Sequence, residues 1–229
     1  MIRRIYRSLP NVSLDELDSG PYLPVMHISC PIDLDVARLR AEVQSIYARV
    51  AAEPEGEFHF HRGPRFAAER LRYDANELAR LPESVTASFA GIGNPHLIQP
   101  LEPGATVLDM GCGAGTDLLL AAAHVGPDGR GIGVDMTEAM VARSREGART
   151  AGLRNVDVRI GDATALPADD GSIDVLISNG VFNLVPDKDG ALAEMFRVIK
   201  PGGRLQIADI VLGAALDEAA KRDVDLWTG

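Results

Sequence analysis

Three acids, three glycines and two histidines in this chain have types and spacings that could do chemistry. Asp109, Asp135 and Asp162 each close a short apolar run, in "VLDMGCGAG", "GIGVDMT" and "IGDATALP". Gly111, Gly113 and Gly115 follow the first acid as G-x-G-x-G, and His59 and His61 alternate in "EFHFHRG". A carboxylate at a strand tip can hold an ammonium group or the two hydroxyls of a ribose. Bare glycines let a ligand press against the backbone with no Cβ in the way. Two histidines on one side of an extended segment could act as a base near neutral pH or as a metal-ligand pair. They could equally be surface or packing residues.

These groups need a frame. From residue 105 apolar runs of strand length alternate with helical patterns: "ATVLDM" then "TDLLLAAAHV", "GIGVDM" then "EAMVARSREGARTAG", "VDVRIGD", "IDVLISN" then "GALAEMFRVIK", and "RLQIADIVL" then "LDEAAKRDVDLW". Five strands interleaved with helices predict an α/β fold with a parallel sheet covered on both faces. Ligands of such sheets sit beyond the carboxyl ends of the strands, where the acids and glycines fall. Upstream, residues 1–32 read as an irregular arm with a short strand around "VMHIS". Val36, Leu39, Val43, Ile46, Tyr47 and Val50 recur at helical spacing, with Asp33 or Asp35 able to cap the start. "GPRFAAERLRYDANELARLPE" predicts two more short helices ending before Pro82, and "FAGIGNPHLIQPLEPG" a connection.

The bulk numbers remove several classes of partner. The chain has 229 residues, 46% of them hydrophobic, enough for a sizeable core. Its 23 Lys and Arg against 33 Asp and Glu leave a net charge of −10, which argues against nucleic acid or an anionic membrane as the main partner. Two cysteines, Cys30 and Cys112, make neither a disulfide framework nor a zinc pattern and suit a reducing compartment. With no secretory signal and no apolar run of membrane-spanning length, the expectation is a cytoplasmic protein.

Spacing discriminates among nucleotide ligands. A dinucleotide loop is G-x-G-x-x-G with a pyrophosphate on the helix N-terminus. Here the loop is G-x-G-x-G, preceded two residues earlier by Asp109. A carboxylate there is badly placed for phosphates and well placed for an ammonium group, as in S-adenosylmethionine. Asp135, 24 residues after Gly111, could accept from both ribose hydroxyls, a feature that also suits NAD. Met136 could lie on the adenine face or simply pack. Asp162 could accept from the adenine amino group, and the Ala163 N–H could serve a ring nitrogen.

Together "VLDMGCGAGTD", "GVDMT", "GDATALP", "DVLISNGVFNL" and "VIKPGGRLQIADIVL" resemble the class I S-adenosylmethionine-dependent methyltransferases over roughly residues 84–215. Within them the likeness is strongest to the arsenite methyltransferase group, through "LRYDANELARLPESVTASFAGIGNP", "ISNGVFNLVPDK" and the helix carrying Tyr47. The resemblance implies a Rossmann-like, doubly wound sheet of order 3-2-1-4-5, with residues 1–83 an arm and helical lid and 84–229 the cofactor-binding domain. It implies cofactor contacts at Asp109, Gly111, Gly113, Gly115, Asp135, Met136, Asp162 and Ala163. It adds Asn179 near the methyl-bearing end. Cys112, inside the glycine loop, is counted with these contacts, as a small packing residue rather than an arsenic ligand. S-adenosylhomocysteine is then the product.

The departures bear on substrate. Members of the arsenite group carry arsenic-binding cysteines where this chain has Ile92, in "GIGNP", and Gly180, in "SNGVF". Neither can bind a soft metalloid that needs sulfur, so a carbon, oxygen or nitrogen atom of a small molecule is the expected acceptor. The antiparallel hairpin that usually ends the fold has no counterpart after "LDEAAKRDVDLWTG". That predicts an apolar edge at Arg204–Leu212 covered by a second chain, a symmetry mate or the N-terminal arm. His59 and His61 are the expected base if one is used, with Tyr47 and Arg62 lining the same pocket. An NAD-type oxidoreductase and a cofactor-binding subunit without catalysis remain the alternatives.

Overall fold

The computed structural model describes residues 35–210. The arm over 1–32 with its short strand, Cys30, and the helix expected over "LDEAAKRDVDLW" lie outside the described residues. Four helices come first: α1 (Val36–Ala52), α2 (Gly63–Leu71), α3 (Ala75–Leu78) and α4 (Glu83–Thr86). Then β1 (Thr106–Met110), α5 (Thr116–Val125), β2 (Arg130–Asp135), α6 (Glu138–Thr150), β3 (Val156–Ile160), β4 (Ile173–Asn179), α7 (Lys188–Val198) and β5 (Ile199–Ala208) alternate.

All four strand pairings are parallel, in the order β3-β2-β1-β4-β5. Successive residues of β1 serve opposite layers. Leu108 and Met110 pack with Met195 and Val198 of α7, while Val107 packs with Ala121 and Val125 of α5. The chain leaves β1 towards β2 on one side and returns through β4 on the other, so a crevice opens at their carboxyl ends. That is where an open parallel sheet takes its ligand.

The helices before the sheet divide their work. Asp35 caps α1, accepting from the Arg38 N–H at 2.9 Å, and α1 turns Leu39, Val43 and Tyr47 into the crevice. The other short helices pack behind it. Ala67 and Leu71 of α2 and Leu78 of α3 join Leu120 of α5, and Val85 of α4 meets Leu119 and Ala148. Buried on nearly every side, α5 is accordingly apolar almost throughout. Of these four helices α1 alone lines the crevice, while α2–α4 pack against α5 and α6. Helix α4 was not anticipated; it falls between the two short helices expected to end before Pro82 and the connection that starts at Phe89.

Past the sheet switch, residues 95–100 lie against β5. Buried Gln206 donates to the Pro95 carbonyl at 3.0 Å and Arg204 to the Pro100 carbonyl at 2.5 Å.

Candidate active site

The crevice is a cavity of about 1150 Å³, counting the solvent in its open mouth. Asp109 stands in its wall, only 2% exposed, with Oδ2 buried and lacking any hydrogen-bond partner. Burial, and then the charges of Asp117 and Asp135, push its carboxyl well above the ordinary 3.8, opposed only by a backbone bond from Leu118. A buried carboxylate oxygen without a donor is costly, and a cationic donor group at that place would offset the cost. Asp135 is better supplied: it accepts from the Gly113 N–H at 2.9 Å and the Thr137 N–H at 2.8 Å. Burial nonetheless raises its pKa.

The glycine loop does two jobs. Gly113 has positive φ and open space where a Cβ would stand, so its bare face borders the cavity. Gly115 is different. It does not line the cavity; at φ +99° it starts α5, and a Cβ there would sit 2.4 Å from Ser144 Oγ of α6. Its role is close helix packing, a correction to the expected cofactor contact. Cys112 lines the cavity, but its sulfur is buried beneath Gly133, where burial pushes the thiol well up and leaves it a packing residue.

Met136, Asp162 and Ala163 line one end together. Asp162 Oδ1 accepts from the Thr164 N–H at 2.8 Å and its hydroxyl at 2.6 Å, while Oδ2 pairs with Arg40 of α1. Gln44 of α1 also donates to the Met136 carbonyl at 3.1 Å. Helix α1 is thus tied across this end at two points.

At the other end Asn179 is a clamp. Its Oδ1 accepts from the N–H groups of Ile92 (2.9 Å) and Gly93 (3.1 Å). Its Nδ2 lies 2.9 Å from the Gly93 carbonyl, 3.0 Å from Asp117 Oδ2 and 3.1 Å from the Tyr73 hydroxyl. Tyr73 donates to Asp117 Oδ1 at 2.6 Å, and His96 Nε2 stands 3.1 Å from the same oxygen. Burial and then Asp117 push the Tyr73 phenol well above its usual value. Asn179 borders the cavity, with its amide already committed to holding residues 92–93 against β4.

The expected base is elsewhere. His59 and His61 are exposed and absent from the cavity wall; His59 meets Phe60 edge-on and His61 stacks on Phe66. Arg62 also faces away, donating to the carbonyls of Pro54 and Gly56 and lying 4.2 Å over the Phe58 ring. The reason is local: α1 ends at Ala52, and the aromatic cluster of Phe58 and Phe60 folds "EFHFHRG" back onto its last turn. Tyr47 does line the cavity. Loss of hydration, then Asp135 and Asp209, push its phenol up to about 12, so it stays protonated.

Ile92 and Gly180 face each other: a Cβ on Gly180 would meet the two Ile92 γ-carbons at 3.3 and 3.4 Å. A methyltransferase domain family model matches residues 101–228, more than half of the chain. The chain belongs to the class I S-adenosylmethionine-dependent methyltransferases. An arsenite methyltransferase of Halobacterium salinarum is 43% identical over 162 residues, 71% of this chain and 41% of that protein. A demethylmenaquinone methyltransferase of Listeria welshimeri is 41% identical over 110 residues, 48% of this chain and 46% of the relative. Among solved structures, an arsenic(III) S-adenosylmethionine methyltransferase from Chlamydomonas reinhardtii aligns with a TM-score of 0.57 at 34% identity, covering 63% of this chain and 51% of that one. This methyltransferase chain spans less than half the length of these two curated relatives. Among the described residues, no helix is long and apolar enough to cross a membrane.

Three residues escaped the sequence reading: Asp117, which lines the cavity, and Tyr73 and His96, which contact Asp117. Asp117 carried a signal, a lone acid inside the apolar run "TDLLLAAAHV". Tyr73 and His96 carried none, because they reach Asp117 only through the packing of residues 73–97 against α5.

Proposed function

We propose that this chain is the catalytic domain of a methyltransferase that moves a methyl group to a carbon, oxygen or nitrogen atom of a small molecule, not to arsenite. The observation that carries it is the buried, donorless Oδ2 of Asp109 beside a glycine loop with an open face. When bound, S-adenosylmethionine supplies an electrophilic methyl group on a sulfonium. Asp109 would hold its ammonium group, Asp135 the ribose hydroxyls, and Met136, Asp162 and Ala163 the adenine. Helix α1 covers this end and keeps water out through the Arg40–Asp162 pair and the Gln44 bond.

Displacement at a sulfonium methyl asks mainly for alignment, an effect worth up to ~7–11 kcal/mol. The Asn179 clamp supports alignment by fixing residues 92–93, which face Gly180 across the acceptor end. Tyr47, kept protonated, is a hydrogen-bond donor here rather than a base. Against arsenite stands the pair Ile92 and Gly180, which offers carbon where soft-metalloid chemistry needs thiolates.

Titration calorimetry with S-adenosylmethionine and S-adenosylhomocysteine tests the cofactor. Micromolar binding of both is expected. Absence of heat with either, or tighter binding of NAD, overturns the reading.

A further inference from the structure

Resting on the methyltransferase reading, one buried network bears on how the chain tells fresh cofactor from spent. Among the described residues four carboxylates line the cavity: Asp109, Asp117, Asp135 and Asp162. The proposed cofactor contacts use three of them. The fourth, Asp117 of α5, is the one bonded to Asn179, the clamp of the acceptor end. Its charge also reaches the Asp109 site, where, after burial, it is the largest influence pushing that carboxyl up. Asp117 thus bears on both the proposed ammonium site and the end where the methyl group is handed over.

Three side chains meet Asp117: Tyr73 and His96 at Oδ1, Asn179 at Oδ2. Of these only His96 can take up a proton and become a cation. Its side chain is 10% exposed, with Nδ1 buried and without a hydrogen-bond partner. With Asp117 as acceptor, Nε2 carries the ring hydrogen and Nδ1 a lone pair, so a second proton goes to Nδ1 and sets a cation against Asp117. Other titratable or charged groups around this segment are Tyr73, His124 and Arg204. His124 of α5 meets the His96 ring edge-on and is bound to Glu77 of α3. Arg204 of β5 donates to the Pro100 carbonyl, and its neighbour Gln206, at Pro95, is neutral.

S-adenosylmethionine and S-adenosylhomocysteine differ at sulfur, by one methyl group and one positive charge. We infer that Asp117 is the counter-charge to the sulfonium and that His96, a positioning residue acting through Asp117, sets its strength. Neutral His96 leaves Asp117 free to favour the sulfonium over the product, and protonated His96 cancels the preference. With the ring neutral, the spent cofactor is the weaker ligand and gives way to a fresh one.

Calorimetry on the full chain with each cofactor form, from about pH 5.5 to about 8, where histidine changes charge, gives the ratio of their affinities. Influences on the ammonium and ribose, common to both ligands, cancel in that ratio. The preference for S-adenosylmethionine should grow about five- to tenfold from the acid end to the alkaline end, the size of one charge acting across a partly solvated site. His96→Gln keeps a donor but takes no proton, and its ratio should not vary with pH. The wild type alone gives a second readout, because linkage is reciprocal. In proton NMR, S-adenosylmethionine should lower the pH at which His96 takes up its proton by about 0.7 to 1 relative to S-adenosylhomocysteine, while exposed His59 and His61 do not respond. A wild-type ratio that ignores pH, an unchanged pH dependence in His96→Gln, or a His96 titration blind to the cofactor's charge overturns the inference and leaves the methyltransferase reading intact. Failure of either cofactor form to bind at any pH brings down both.

Discussion

Asp109→Asn keeps the shape of the Asp109 side chain and removes its charge. In the wild type the buried Oδ2 waits for a donor, and a hydrogen bond between a charged pair contributes about 1.5–3 kcal/mol. At 1.36 kcal/mol per decade, the variant should bind S-adenosylhomocysteine about 10- to 150-fold more weakly. The ligand-free protein should respond in the opposite sense. Because the folded-state carboxyl lies well above 3.8, the folded protein holds a proton that the unfolded chain has released. Stability therefore falls as pH rises from about 3.8 through the raised value, and Asp109→Asn loses that fall. A bound ammonium draws the carboxyl back down, so binding at mildly acidic pH releases a proton in the wild type and none from this site in the variant. Calorimetry in two buffers of different ionisation enthalpy reads the proton, and thermal melts across pH read the stability. Wild-type-like affinity of the variant, within twofold, refutes the assignment of Asp109 to the ammonium group.

Three other substitutions probe separate features. Gly115→Ala should cost roughly 1–3 kcal/mol in urea unfolding, from the forced left-handed backbone and the 2.4 Å approach to Ser144 Oγ; adding Ser144→Ala should recover only the part due to the hydroxyl. The double change Ile92→Cys, Gly180→Cys sets two thiols face to face and should create binding of phenylarsine oxide, read by loss of free thiol, that the wild type lacks. Arg40→Ala removes a partly exposed ion pair, so unfolding stability should change by less than about 1 kcal/mol. Stopped-flow release of S-adenosylhomocysteine should nonetheless quicken severalfold and lose its salt dependence.

The sheet was legible because each strand is a short apolar run ended by turn residues and each helix a periodic one. "TDLLLAAAHV" coincides with α5 residue for residue. The acids at strand tips were legible for the same reason, since chain direction alone puts Asp109, Asp135 and Asp162 at one rim. What failed depended on contacts between distant segments. Gly115 reads like its neighbours in the motif, yet its partner is Ser144 on another helix. "EFHFHRG" has the alternation of a ligand-bearing strand, but Phe58 and Phe60, which alternate with its histidines, are what pack, and they turn the imidazoles outward. Nor does anything in the sequence announce that Arg40, 122 residues away, pairs with Asp162 Oδ2 at the rim.

Asn179 joins two short loops through a single side chain. Residues 92–93 hang from its oxygen and nitrogen, and Gly180 follows it directly along the chain. A substitution that moves one loop must therefore suit the other, because both answer to a single amide. Asp135, held at the tip of β2 by the Gly113 and Thr137 N–H groups, has no bond to that amide, so the proposed donor subsite there is insulated from what the two loops do.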